Sequence, residues 1–89
     1  MIIQLSKFNS VLNSRPSAKE AVLRIYQMVN GSVEKEKIIL DFTGVEVLSP
    51  SYADELLQSL ENKYGEEKIE IINTVPAIQE TLRAVEIHG

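Results

Sequence analysis

Hydrophobic and polar positions along this chain follow two periods, and the strand-like period marks three short segments. Residues Ile2–Lys7 alternate apolar and polar side chains loosely, Lys37–Phe42 is short and almost continuously apolar, and Lys68–Asn73 alternates isoleucine with charge. Such segments predict strands, and the middle one predicts a central buried strand because it has few polar positions. Residues 8–15 are polar-rich and predict a turn or a short second strand.

The helical period, with apolar residues three or four positions apart, marks the segments between and after these strands. Residues Ser17–Glu20 match the capping-box spacing and predict that a first helix begins at this serine. Ser49 and Pro50 predict the start of a second helix, because proline at the first helical position lacks an amide hydrogen that would have no partner there. Gly65 predicts its end, and residues 74–76 predict the start of a third helix. The apolar stripes of the helices are Ala18, Val22, Ile25, Tyr26 and Val29, then Tyr52, Ala53, Leu56, Leu57, Leu60 and Tyr64, then Ile78, Leu82 and Val85.

The alternation of strands and helices predicts one small α/β domain that spans residues 1–89. The order is β-α-β-α-β-α, and strands joined by helices of this length pair in parallel through crossovers. We therefore expect a small mixed or parallel β-sheet with helices mainly on one face. A chain of 89 residues is long enough for one domain and too short for two.

Composition and charge narrow the classes of function. The formal net charge is −4 and the 9 basic residues are scattered, whereas nucleic-acid binding requires clustered Lys and Arg. We therefore expect no nucleic-acid partner. No apolar run is long enough for membrane insertion and the first residues lack the features of a signal peptide, so we expect a cytoplasmic protein. The chain has no cysteine, which excludes a disulfide framework and a thiolate metal site.

The segment Leu40–Ala53 carries the clearest family signal. It consists of a buried strand that ends at Asp41, then Gly44 and Val45, a short apolar stretch, and serines at the start of a helix. This segment resembles the core of STAS domains, the family that includes bacterial anti-sigma-factor antagonists. The resemblance implies a STAS-like fold and places the family's phosphorylated serine at Ser51.

Some positions depart from the family pattern. Ser49 replaces its aspartate, Pro50 its first serine and Tyr52 its glycine, and the first hairpin of a full STAS domain is short or missing. Residues 51–55 look closer to a divergent STAS-like group whose members accompany histidine-kinase-like ATPases. The resemblance therefore implies a protein partner, either such an ATPase or a serine-kinase anti-sigma factor.

Ser51 has two interpretations that the sequence leaves open. As a switch, it lies in the first turn of a helix, where free amides and the helix dipole tolerate a phosphate. That phosphate would add roughly 1.5 to 2 negative charges to a surface that docks a partner. As a cap, a serine at a helix start stabilises the helix by about 1 kcal/mol and needs no other role.

The other candidate residues surround the predicted start of the second helix. Asp41 either contacts a partner, orients Ser51, or caps the turn that contains Gly44. Arg15 pairs with Asp41 or with a phosphoserine, or else is a solvated loop arginine. Tyr52 is a candidate interface anchor beside the serine. The predicted partner-binding residues are Val45, Glu46, Ser49, Tyr52, Asp54 and Glu55, with Asp41, Gly44 and Arg15 in support.

These features favour a docking module over an enzyme, because the sequence offers no credible general base, glycine-rich phosphate loop or metal-binding motif. We expect no catalytic residue, no cofactor and no metal. The leading prediction is a regulatory module that binds its partner until Ser51 is phosphorylated. One alternative is a constitutive accessory subunit of an ATPase or transporter complex. The other is a small metal-assisted phosphoesterase that uses Asp41 and Asp54.

Overall fold

The computed structural model describes residues 1–29 and 36–88, and these form strands β1 to β5 and helices α1 to α3. The strands are β1 (Ile2–Gln4), β2 (Val11–Leu12), β3 (Ile38–Asp41), β4 (Val47–Leu48) and β5 (Ile69–Ile72). The helices are α1 (Arg15–Val29), α2 (Pro50–Tyr64) and α3 (Pro76–His88). Short 3-10 turns follow β1 at Leu5–Lys7 and precede β5 at Glu66–Lys68.

Parallel strands form the centre of the fold. Among the described residues, one sheet has the order β1-β3-β5 and a second sheet consists of β2 and β4. The larger sheet places Ile3 beside Leu40, and the smaller sheet places Val11 beside Val47. The predicted α/β fold with parallel strands is therefore confirmed. Residues 8–15, for which a turn or a short second strand was predicted, contain the short strand β2, whereas β4 has no counterpart among the predicted strands.

The larger sheet buries one face and leaves the other more open. Side chains alternate sides along a strand, so residues that are paired across strands share a face. Ile3 and Leu40 share the inner face, and each is at most 1% exposed. Ile2 and Glu70 lie in one row on the opposite face, and both are exposed. The helices therefore lie mainly on one face of this sheet, as predicted.

Each helix turns its predicted apolar stripe towards a common core. α2 packs against both α1 and α3, and its central residues Leu56 and Leu60 are fully enclosed. Tyr26, Val29 and Tyr64 are partly buried at the edges of this core. In the described ranges, no helix has both the length and the apolar character that crossing a membrane requires.

The first helix begins earlier than predicted. α1 starts at Arg15, so Ser17 lies inside the first turn and the predicted capping box does not define the boundary. Ser14 precedes the helix with a φ of 77°, and its Oγ accepts a hydrogen bond from the Ser17 amide at 3.4 Å. The predicted boundary is wrong because a second serine, three residues earlier in the sequence, supplies the side-chain acceptor instead.

The second helix begins and ends where the sequence predicts. Ser49 is the N-cap in extended conformation, and Pro50 is the first helical residue. Gly65 follows the last residue with a φ of 97°, and its amide donates to the Glu61 carbonyl at 2.9 Å. α2 is therefore positioned at both ends by residues whose local chemistry the sequence already shows.

Candidate functional site

The chain between β3 and α2 forms a corner that consists of a tight turn followed by β4. The Val45 amide donates to the Phe42 carbonyl at 3.0 Å and closes the turn. Gly44 has a φ of 83°, which residues with a side chain rarely adopt. The Ser49 amide then donates to the Leu12 carbonyl of β2 at 2.9 Å. The turn and this hydrogen bond fix the direction in which α2 leaves the corner.

Asp41 holds the turn in place from the end of β3. Its Oδ1 accepts hydrogen bonds from the Thr43 hydroxyl at 2.7 Å, the Thr43 amide at 2.9 Å and the Asn73 side-chain amide at 3.0 Å. The pKa of Asp41 lies below its ordinary value of 3.8. The largest cause is the side-chain hydrogen bond from Thr43, and the next is the side-chain hydrogen bond from Asn73. Asn73 itself has a φ of 60° just after β5. These contacts are those of a turn cap that also ties the corner to β5.

Replacing Asp41 by asparagine is expected to destabilise the domain at neutral pH and to flatten its response to acid. The folded-state pKa of Asp41 lies below its unfolded-state value near 3.8, so the ionised carboxylate stabilises the fold above that pH. This contribution disappears as the pH falls through the folded-state pKa. Urea midpoints measured from neutral pH down to acid would show both effects.

The matched control for this measurement is Glu70→Gln, which neutralises an exposed carboxylate on β5. The control should keep the acid response of the wild type. If Asp41→Asn and wild type lost stability in parallel on acidification, the hydrogen bonds to Asp41 would not have the role assigned to them.

The start of α2 leaves the Ser51 hydroxyl outside the cap. Ser49 Oγ accepts a hydrogen bond from the Tyr52 amide at 3.2 Å, so Ser49 is the residue that caps the helix. Ser51 is the second helical residue and is partly exposed, with its Oγ 3.4 Å from that of Ser49. The capping function that the sequence offered as the alternative for Ser51 is thus performed by its neighbour.

The predicted partner-binding residues divide into buried and accessible groups. Val45 is 5% exposed and Tyr52 is 2% exposed, so both side chains belong to the core. Burial raises the pKa of the Tyr52 phenol to about 12. The accessible members are Glu46, which is exposed, and Ser49, Asp54 and Glu55, which are partly exposed.

Two valines that the sequence analysis did not select form the apolar part of this surface. Val11 and Val47 lie opposite each other in the β2-β4 pair, and they are 42% and 49% exposed. Their strand neighbours Leu12 and Leu48 point the other way and are buried. The alternation of Val47 and Leu48 could have indicated which one faces outward, but a strand of two residues is too short to recognise from sequence.

Arg15 connects the start of α1 to the first turns of α2. Its guanidinium is 2.8 Å from Asp54 Oδ2 and 3.6 Å from Glu55 Oε1. Of the roles left open for Arg15, the pairing with Asp41 is not found, and its partners are these two carboxylates. The ion pairs are half-exposed, and such pairs contribute little to stability, so their main effect is to reduce the negative charge beside Ser51.

The residues assigned to the phosphoesterase alternative have other partners in this structure. Asp41 Oδ1 accepts the turn hydrogen bonds, and Asp54 pairs with Arg15. Among the side chains that the structure describes, those of residues 1–29 and 36–85, no three from Asp and Glu are grouped closely enough to hold a metal ion.

A parallel sheet covered on one face by helices, with a glycine turn between a buried strand and a capped helix, is the arrangement of a STAS-like domain. The family model described as a STAS-like domain of unknown function (DUF4325) matches residues 24–79, which is more than half of the chain. The chain belongs to this family. The match includes the corner and all of α2 but begins within α1, after β1 and β2. No curated protein and no solved structure gave a significant match.

Proposed function

We propose that this domain is a non-catalytic regulatory module that docks onto a partner protein through the start of α2, and that phosphorylation of Ser51 releases the partner. We call the surface the docking face. It consists of Val11, Glu46, Val47, Ser49, Pro50, Ser51, Asp54 and Glu55.

The observation that carries the proposal is the exposed valine pair of β2 and β4, together with a partly exposed serine in the first turn of the helix that follows β4. Val11 and Val47 present adjacent apolar side chains that the domain's own core does not cover. Large contiguous apolar patches that are bordered by polar residues mark protein interaction sites, and the valine pair is a small patch of this kind. Ser51 follows the end of β4 by three residues, is partly exposed and is not used as the cap of its helix.

A phosphate on Ser51 would change the charge of the docking face at its centre. Asp54 and Glu55 are three and four residues further along α2, and residues at this spacing are neighbours on a helix surface. Arg15 pairs with both carboxylates but balances only one of their two negative charges, so the phosphate would add to a surface that is already negative. Acidic groups of a partner would then be repelled, and apolar groups could approach only at the cost of removing water from the phosphate.

The family likeness supports a partner of the kind that STAS domains bind. We propose a histidine-kinase-like ATPase or a serine-kinase anti-sigma factor in the bacterial cytoplasm. Such a partner would both contact the docking face and phosphorylate it. The partner's other client would be free or bound according to whether this domain holds the partner.

The test is affinity purification of partners from the native cell with four forms of the chain. Wild type and Ser51→Ala should recover the same partner, whereas Ser51→Asp should recover at least about tenfold less, a change that corresponds to about 1.4 kcal/mol of binding free energy. The fourth form, Gln27→Asp, adds the same charge at an exposed position about three turns along α1 and should behave like wild type.

Mass spectrometry of the purified chain completes the test. A phosphate on Ser51 that is present in the partner-free fraction would support the switch. Equal recovery by Ser51→Asp and wild type would contradict the switch and favour the constitutive accessory subunit. If the Val47→Asp variant also recovered as much partner as the wild type, the docking face would not be the binding surface.

A further inference from the structure

A second accessible surface lies along the outer edge of β1, where this strand and α1 enclose an open groove. The groove is lined by residues from β1, from the 3-10 turn that follows it, and from the second half of α1. The lining residues are Ile2, Ile3, Gln4, Lys7, Phe8, Arg24 and Met28. None of them belongs to the docking face.

The backbone of β1 has hydrogen-bonding groups on its outer side. Within the described residues β1 pairs with β3, and the Ile39 amide donates to the Met1 carbonyl at 2.8 Å. Because successive residues of a strand direct their backbone groups to opposite sides, the amide and carbonyl of Ile2 and the amide of Gln4 point away from β3. An edge of this kind is a template for the addition of another strand.

The side chains along this edge determine which kinds of side chain an added strand must carry. Ile2 is 60% exposed and Met28 is 47% exposed, which gives the groove an apolar part. Lys7 and Arg24 are exposed cations that also line the groove. Neither forms an ion pair with any residue that the structure describes. The lining has no carboxylate, although the whole chain carries a net charge of −4.

We propose that the β1 edge binds an extended segment of a partner protein that carries both aliphatic and acidic side chains. The segment pairs with the outward backbone groups of Ile2 and Gln4. Its aliphatic side chains contact Ile2 and Met28, and its carboxylates contact Lys7 and Arg24. Main-chain hydrogen bonds provide the affinity in this mode, and the flanking side chains provide the selectivity. This inference does not depend on the proposed role of Ser51.

The experiment is a titration of the isotope-labelled full chain with two short capped peptides, followed by NMR. One peptide alternates valine with glutamate, and the other alternates valine with lysine. The acidic peptide should shift the amide signals of residues 2–8 and 24–28, and the basic peptide should not. Signals that do not move, that move at the docking face, or that respond equally to both peptides would each overturn the proposal.

Two variants separate the backbone contribution from the charge contribution. Gln4→Pro removes an outward amide at a residue whose φ of −85° is close to that of proline, so it should leave the pairing with β3 intact and weaken binding by about tenfold. Lys7→Glu combined with Arg24→Glu should weaken binding of the acidic peptide by at least as much, and it should allow the basic peptide to bind.

The matched control for the charge reversal is Arg83→Glu, at an exposed position of α3. Circular dichroism establishes that each variant is folded. If Gln4→Pro does not fold, the charge variants still decide the proposal, because unchanged binding by Lys7→Glu with Arg24→Glu would contradict it.

Discussion

Replacing Tyr52 by alanine is expected to lower the free energy of unfolding by about 3 to 5 kcal/mol, the range seen when a large core aromatic is truncated. Tyr52 is 2% exposed and belongs to the core beneath the docking face. A domain of this size has a total stability on the order of 5 kcal/mol, so this variant should be largely unfolded at mild urea concentrations. Urea denaturation followed by circular dichroism measures the change.

Two further variants sharpen this test. Tyr64→Ala truncates a tyrosine at the edge of the core and should cost clearly less than Tyr52→Ala. Tyr52→Phe keeps the packing of the ring and removes only its hydroxyl group. Burial raises the pKa of Tyr52 to about 12, above its ordinary value of 10.0. The folded domain therefore favours the neutral phenol, and this contribution to stability is present below about pH 10 and is lost as the pH rises towards 12. Tyr52→Phe should not show this alkaline loss.

The position of Tyr52 also decides between its two interpretations. If this tyrosine were a surface anchor for a partner, Tyr52→Ala would leave the urea midpoint near that of the wild type. A midpoint that stays unchanged while partner recovery falls would therefore contradict the burial of Tyr52.

Replacing Gly44 by valine is expected to cost about 2 kcal/mol of folding stability. Gly44 has a φ of 83°, and an L-residue in the left-handed region costs roughly 1 to 2 kcal/mol, with β-branched residues among the least tolerated. A Cβ at this position would also lie 3.3 Å from the Ser6 Cβ, so the valine would have to displace that residue. Chemical denaturation of the purified variant measures the loss.

Gly44→Asn is the matched control, because asparagine enters the left-handed region more easily than valine does. Both variants add a Cβ near Ser6, so the difference between them reflects mainly how well each residue adopts the positive φ, with a smaller part from the branching of valine. Equal losses for asparagine and valine would show that crowding, and not the positive φ, is what requires glycine in this turn.

The sequence predicted the elements whose local signals are strong. The α2 stripe is long, and its residues Leu56 and Leu60 are fully buried as expected. Ser49 and Pro50 defined the start of that helix correctly because a cap is a local interaction between neighbours in the chain. The parallel sheet followed from the order of the elements.

Other features depend on contacts that are distant in sequence. Asn73 reaches Asp41 across 32 positions, and nothing in its own surroundings indicates that partner. The pairing of Val11 with Val47 joins two strands of two residues each, which are too short to produce a period. Tyr52 follows Ser51 directly, but a helix directs adjacent residues about 100° apart, so one is buried while the other is partly exposed.

The Asp41 hydrogen bonds to Thr43 and Asn73 have a consequence for how such domains diversify. They anchor the corner from below, at the carboxyl ends of β3 and β5, and do not involve the exposed side chains of Glu46, Val47 or Pro50. If the domain docks as proposed, substitutions at those outward positions can change which protein it recognises without loosening the scaffold. An engineer who wished to give the domain a new partner would randomise these outward positions and keep Asp41.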